Sequence, residues 1–318
     1  MPCCPPHPHL LPAPPPHLLS PLHPKNSTNQ CLQVGRWMGR TGGVLCNVNQ
    51  AFQVAVYTSL KDSSTLGALS SDLKEEVCRM SEGELKWHSD LFELIKEHFS
   101  YVYGLFTNPK KVSELTEHTQ YIQTMVQRTR SNDYNGWKAV IGQYAAEDLE
   151  YPLLPFINDK TPRERMGFNH RQLARLLVPA KYITLYKENP AKHCKAMAEA
   201  QGDIPVNASG IPAFMYKGKP PGASYDQKNV IGGFGLGFIV TRFLKHLLIG
   251  PSATLKSKPV PPDVCSNCAL MVTHKVMPEH LSYVMLGIHS AMSSVSRWPA
   301  QDGDYNWELM HRKLLEFL

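Results

Sequence analysis

The chain has 318 residues, of which 42% are hydrophobic and 19% charged, a balance that places it among ordinary globular proteins with enough length to bury a sizeable core. Its formal net charge of +6 favours acidic partners only weakly. Eight scattered cysteines are too sparse for the disulfide scaffold of a small secreted protein, and they read as reduced thiols inside a cell.

Charge is distributed less evenly than the total suggests. Residues 61–159 carry 10 basic and 16 acidic side chains, whereas residues 160–258 carry 16 basic and 5 acidic ones. Such a contrast predicts two parts that attract each other, or one face that meets an anionic partner.

In chain order, residues 1–30 are a Pro/His-rich segment with ten prolines by Pro24, too poor in apolar residues to order itself. The prolines also exclude the uninterrupted apolar helix of a signal peptide. Residues 31–80 are poorly defined: Gly35 to Gly43 reads as a Gly-rich turn and Ala51 to Thr58 as a short strand. Ser81-x-x-Glu84 then forms a capping box in front of an apolar stripe of Leu85, His88, Phe92, Ile95, Phe99, Val102 and Phe106, which predicts one helix ending before Asn108-Pro109. Further helices are predicted over Val112–Arg130, with Ser131-Asn132-Asp133 opening a new helix start, and over Trp137–Leu149.

Asn169 is expected to cap a short helix stopped by Pro179, and Asn189-Pro190 to open another. Pro205 to Pro221 is turn-rich, and a basic helix follows around Leu236–Leu248. Pro278 starts a helix reaching about Val295, and Asp304 or Asn306 starts the last one. The most apolar stretch, Val230 to Val240, is well short of the ~20 residues that span a bilayer, so no membrane partner is expected. The expected fold is mainly α: an irregular multi-helix domain over residues 81–318, with little or no sheet, behind a disordered Pro/His-rich N-terminus.

The order of several short motifs carries a family likeness. These are Ser131-Asn132-Asp133 with Trp137-Lys138, Gly167-Phe168-Asn169-His170, Ile211-Pro212-Ala213-Phe214-Met215-Tyr216, Phe243-Leu244-Lys245-His246 and the helix ending in Ser293-Ser294. Over about residues 121–318 the chain resembles an uncharacterised, multicopy protein family of mushroom-forming fungi. The resemblance implies a fungal origin and supplies no activity, cofactor or catalytic residue.

Motifs that would carry chemistry fail on their spacing. Gly35-x-x-x-Gly39-Arg40-Thr41 lacks the spacing and the lysine of a phosphate loop, and Gly232 to Gly237 lacks the third glycine of a dinucleotide fingerprint. Asp302-x-Asp304-x-Asn306 departs from a calcium loop at Trp307 and Lys313. Cys265-x-x-Cys268 with His274 and His280 offers four zinc-type ligands, but His280 falls inside the helix that Pro278 starts; neither metal nor cofactor is predicted.

The remaining candidate is the basic middle of the chain. Arg163, Arg165, Arg171, Arg175, Lys181, Lys192 and Lys195 lie close together in sequence, with Arg171 and Arg175 sharing a helix face. They are the expected contacts of a non-enzymatic binding protein whose basic face meets nucleic acid or an acidic protein. A solvated surface, or a docking face for the acidic helix at Glu82–Glu97, is the plain alternative for these charges. An enzyme would instead need a pocket that gathers scattered polar groups such as His170, Tyr216, His246 and Asp226.

Overall fold

The computed structural model describes residues 27–42, 47–60, 70–148, 150–256, 276–295, 301–302 and 304–318. The Pro/His-rich start up to residue 26 and the cysteine pair Cys265/Cys268 with His274 lie outside the described residues. Residues 27–30, grouped with that start by composition, open the first helix.

Twelve helices account for most of the described chain: α1 (Ser27–Thr41), α2 (Val48–Leu60), α3 (Ser71–Arg79), α4 (Glu82–His98), α5 (Ser100–Thr107), α6 (Val112–Tyr144), α7 (Arg171–Leu177), α8 (Ile183–Glu188), α9 (Pro190–Ala198), α10 (Phe238–Leu248), α11 (Pro278–Met292) and α12 (Trp307–Phe317). A two-residue antiparallel pair, β1 (Gln301–Asp302) with β2 (Tyr305–Asn306), is the only sheet among the described residues. The mainly α expectation therefore holds.

The long helix α6 is the axis of the fold. Its 33 residues run for about 50 Å at 1.5 Å per residue. The predicted break at Ser131-Asn132-Asp133 does not occur, because Asp133 is held by tertiary partners instead of capping a helix. Arg40 of α1 pairs with it through both oxygens, at 2.8 and 2.9 Å, and the Tyr283 hydroxyl of α11 donates to it at 3.2 Å.

The glycines read as a turn lie inside α1. Gly35 and Gly39 are one helical turn apart and face α6, where an added Cβ at 35 would stand 2.6 Å from Met125 Cβ and one at 39 would stand 3.2 Å from Thr129 Cβ. Their missing side chains let two backbones approach. The predicted strand is helix α2, whose Val48 N–H donates to Gln123 Oε1 of α6 at 2.9 Å while Phe52 packs on Phe106. Tertiary packing overrides a β-branched local preference here.

The capping box at Ser81/Glu84 is present and opens α4 as predicted. The apolar stripe behind it spans two helices, since Phe99 leaves the helical region at φ −130°, ψ 60° and the chain bends there into α5. Gln30 Oε1 of α1 accepts the Tyr101 N–H at 3.0 Å, satisfying one donor at the new helix start.

The main core gathers residues from Cys31 to Leu314, so α1 and α2 share it with the later helices. At its centre the fully buried Trp137 indole packs between Phe243 and Tyr283 and over Gly287. A second, smaller core of Ala174, Val178, Tyr186, Met197, Ile204 and Ala213 holds α7, α8 and α9 as a lobe. Asn189 caps α9 as predicted, Asn306 rather than Asp304 of the two expected candidates caps α12, and α7 is capped by His170 rather than Asn169.

Candidate functional site

The basic lobe is built on the smaller core. Helix α9 packs on α7 and on the turn 167–169, and α8 packs on α9, which brings the cations of these elements onto one part of the molecule. Arg165, Arg171, Lys181, Lys192 and Lys195 are exposed. Exposed Glu164, Glu188, Glu199 and Asp203 lie on the same stretch, but of these cations only Lys195 is ion-paired, with Glu199 at 4.0 Å, and Lys181 lies over the Tyr182 ring. Arg175, half-buried, pairs with Glu147 at 3.4 Å.

Arg163 has a different task. Its guanidinium donates to the carbonyls of Ser290 and Ala291, each at 2.9 Å, to Val295 at 3.1 Å and to Ser293, and so closes the C-terminal end of α11. Four carbonyl acceptors leave it engaged with the fold. Two further arginines act alike: Arg130 donates to the carbonyls of Gly39 and Gly42 at the end of α1, and Arg242 to those of Tyr144 and Ala146 at the end of α6. The charge available on the basic stretch is smaller than its sequence count.

The acidic helix α4 does not serve as the mate of this lobe. It packs on α2 and α5, and Glu82, Glu93 and Glu97 are exposed. Helix α11 connects the two regions, with Glu279 at its first turn near α4 and α12, and Arg163 at its last carbonyls.

A ridge beside α7 was not apparent from the sequence. Tyr151, Leu154 and Phe156 are 73%, 72% and 64% exposed, while Leu153 and Ile157 between and beyond them are buried. Gln172 Oε1 accepts the Leu154 N–H at 2.6 Å, and His170 Nε2 donates to the Pro155 carbonyl at 2.9 Å, so α7 itself fixes the ridge. Two prolines, Pro152 and Pro155, set within the apolar run Tyr151 to Ile157 were the available signal, one that marks an extended segment rather than a core strand.

The polar groups proposed for an enzyme pocket each have a local structural role. His170 also accepts the Leu173 N–H to cap α7, the Tyr216 hydroxyl donates to the Val230 carbonyl, His246 pairs with the Tyr144 hydroxyl at 3.2 Å, and Asp226 accepts the Lys228 N–H in a turn. Of the zinc candidates, His280 is fully buried and its Nδ1 accepts the Met277 N–H at 3.2 Å. No group of three or more His, Cys, Asp or Glu among the described residues is arranged to hold a metal ion. No helix among them is long and apolar enough to cross a membrane.

Residues 124–318 match DUF6698, a family of unknown function. The chain belongs to the DUF6698 family. No curated protein and no solved structure matches it. The DUF6698 match begins inside α6 and takes in the basic lobe, the ridge and helices α10–α12. Helix α1 lies outside the match, yet it is joined to the DUF6698 segment by the Arg40–Asp133 pair.

Proposed function

We propose that this DUF6698 protein is a non-enzymatic binding protein that meets nucleic acid through the α7–α9 lobe. The observation that carries this reading is the set of exposed cations, Arg165, Arg171, Lys181, Lys192 and Lys195, on elements around one small core, of which only Lys195 is ion-paired. Phosphates neutralised by such side chains release counterions, so binding weakens with salt by about 0.9 log units per contact and log unit of salt. The test is retention of the full chain on DNA and RNA across a salt series, with Arg171→Glu/Lys192→Glu as the variant. Lost affinity and a shallower salt slope are expected. Absence of salt-dependent retention at low ionic strength rules the reading out.

A second reading, an acidic protein partner, is favoured by the ridge. Tyr151, Leu154 and Phe156, with Arg175 beside Tyr151, have the composition of a protein interface, with aromatic and arginine anchors. Leu154→Asp separates the two: it disrupts protein docking and leaves phosphate contacts intact. On the same footing we take the protein to be intracellular, with Cys31, Cys78 and Cys194 as free thiols, and to belong to the fungal multicopy family that its motif order resembles.

A further inference from the structure

Where the α7–α9 lobe meets the main core, a cavity of ≈ 220 Å³ lies between the turn 167–169, the end of α9, the end of α11 and the β1–β2 hairpin. Phe168, Leu177, Met197 and Val206 form its apolar walls. An apolar cavity of about 150 Å³ takes up one benzene molecule, so this one has room for roughly nine non-hydrogen atoms, the size of a nucleobase.

His289 and Tyr305 give the cavity its chemistry. Both line it, at 6% and 5% exposure, and neither His289 Nδ1 nor the Tyr305 hydroxyl has a hydrogen-bond partner among the described residues. Packing holds them in place: the two rings stack at 4.6 Å, and the Trp307 ring backs them at 5.0 and 4.7 Å. A polar group buried without a partner is destabilising, and a ligand that supplies the partner recovers that cost. Burial pushes His289 down to about 3 and the Tyr305 phenol upward, so both are uncharged and each offers a donor and an acceptor. Asp304, exposed, is the one charged residue of the described lining. An anion would meet only that carboxylate, and a cation would leave water for neutral groups. An uncharged heterocycle with N–H and C=O edges finds its partners here.

The rim ties the cavity to the cations of the lobe. Lys195 stands one turn before the lining residue Ala198 on the same face of α9, and Arg165 precedes the lining residue Gly167 by two positions.

We propose that this cavity binds an uncharged nucleobase through His289 and Tyr305. An unpaired nucleotide of a strand lying on the lobe supplies such a base, and a free nucleoside carries the same chemistry. The strand as source rests on the nucleic-acid reading above; the fit of the cavity to a base does not.

Fluorescence anisotropy of the full chain reads base capture with an end-labelled single strand of mixed sequence and the same strand carrying abasic sites throughout. The intact strand should bind about tenfold or more tighter, a gain typical of base contacts, with equal salt slopes because the phosphates are the same. Tyr305→Phe removes the unpartnered hydroxyl alone. It should cut that ratio several-fold and leave the salt slope unchanged, with Tm level or raised because no hydrogen bond is lost. Equal affinity for intact and abasic strands overturns the proposal, as does a Tyr305→Phe variant with an unchanged ratio or a lowered Tm. If no strand is retained, the lobe reading fails by itself and the four free nucleosides, titrated against tryptophan emission, decide. Saturation that Tyr305→Phe weakens assigns the cavity to a free nucleoside, and no saturation by any of the four overturns the proposal.

Discussion

Adding one methyl group at Gly287 tests the packing at the centre of the molecule. A Cβ there would overlap Trp137 Cζ3 and Cε3 and stand 2.9 Å from Cη2. The indole would have to retreat by roughly 2 Å to regain an ordinary carbon contact. It has no room to do so, since Trp137 is fully buried and backed by the rings of Phe243 and Tyr283 at centroid distances of 5.6 and 5.3 Å. Overpacking of this kind costs about 3 kcal/mol at the upper end of its usual range. Replacing glycine by alanine inside a helix returns about 1 kcal/mol. Gly287→Ala is thus expected to destabilise by about 2 kcal/mol, or roughly 3 °C in Tm for a chain of 318 residues. Far-ultraviolet circular dichroism measures the transition, and the double variant with Trp137→Leu should lose less than the two singles together. A Tm that rises on Gly287→Ala, or strict additivity with Trp137→Leu, would refute the packing argument.

Other predictions address the buried charges. Arg163→Met should destabilise by about 2–4 kcal/mol, because several buried α11 carbonyls lose a charged donor, and it should leave nucleic-acid retention unchanged once folding is corrected for. Asp133→Ala should cost about 3–5 kcal/mol by leaving the Arg40 guanidinium buried without its carboxylate, and Arg40→Met on top should recover part of that, read from urea midpoints. His280, facing Arg40, and His311, facing Arg130 and Glu84, are both pushed down to about 4 by burial. Because these folded values lie below the unfolded value of about 6.5, their contribution is complete above pH 6.5 and is lost as pH falls toward 4, by about 3 kcal/mol for each histidine at most. Urea midpoints that stay level from pH 7 to 4.5 contradict that assignment.

Local signals were legible wherever a side chain acts on its own helix. Ser81 with Glu84 and Asn189 each satisfy donors within three residues, so the sequence alone places those starts, and it narrows the last one to Asp304 or Asn306. Signals failed where a distant element decides. Asp133 has the local character of a cap, but Arg40, 93 positions earlier, takes its carboxylate and the helix runs on. Gly35 and Gly39 carry the composition of a turn, and only the facing Met125 and Thr129 explain why side chains are missing there. Phe99 continues an apolar period while the backbone bends, because α5 must reach α1. The basic stretch was visible as a charge count, but its division into exposed cations and the helix-closing Arg163 depends on where α11 ends.

The arginines that close α1, α6 and α11, with Arg40 on Asp133, give the molecule a chemical division of labour. The cations built into its interior are guanidiniums, while Lys181, Lys192 and Lys195 stand in solvent on the lobe. Amine-selective acylation therefore removes charge from the outer lobe and leaves the helix ends intact. Graded succinylation, followed by mass mapping and measurement of retention and Tm on the same samples, should abolish partner binding well before the protein begins to unfold.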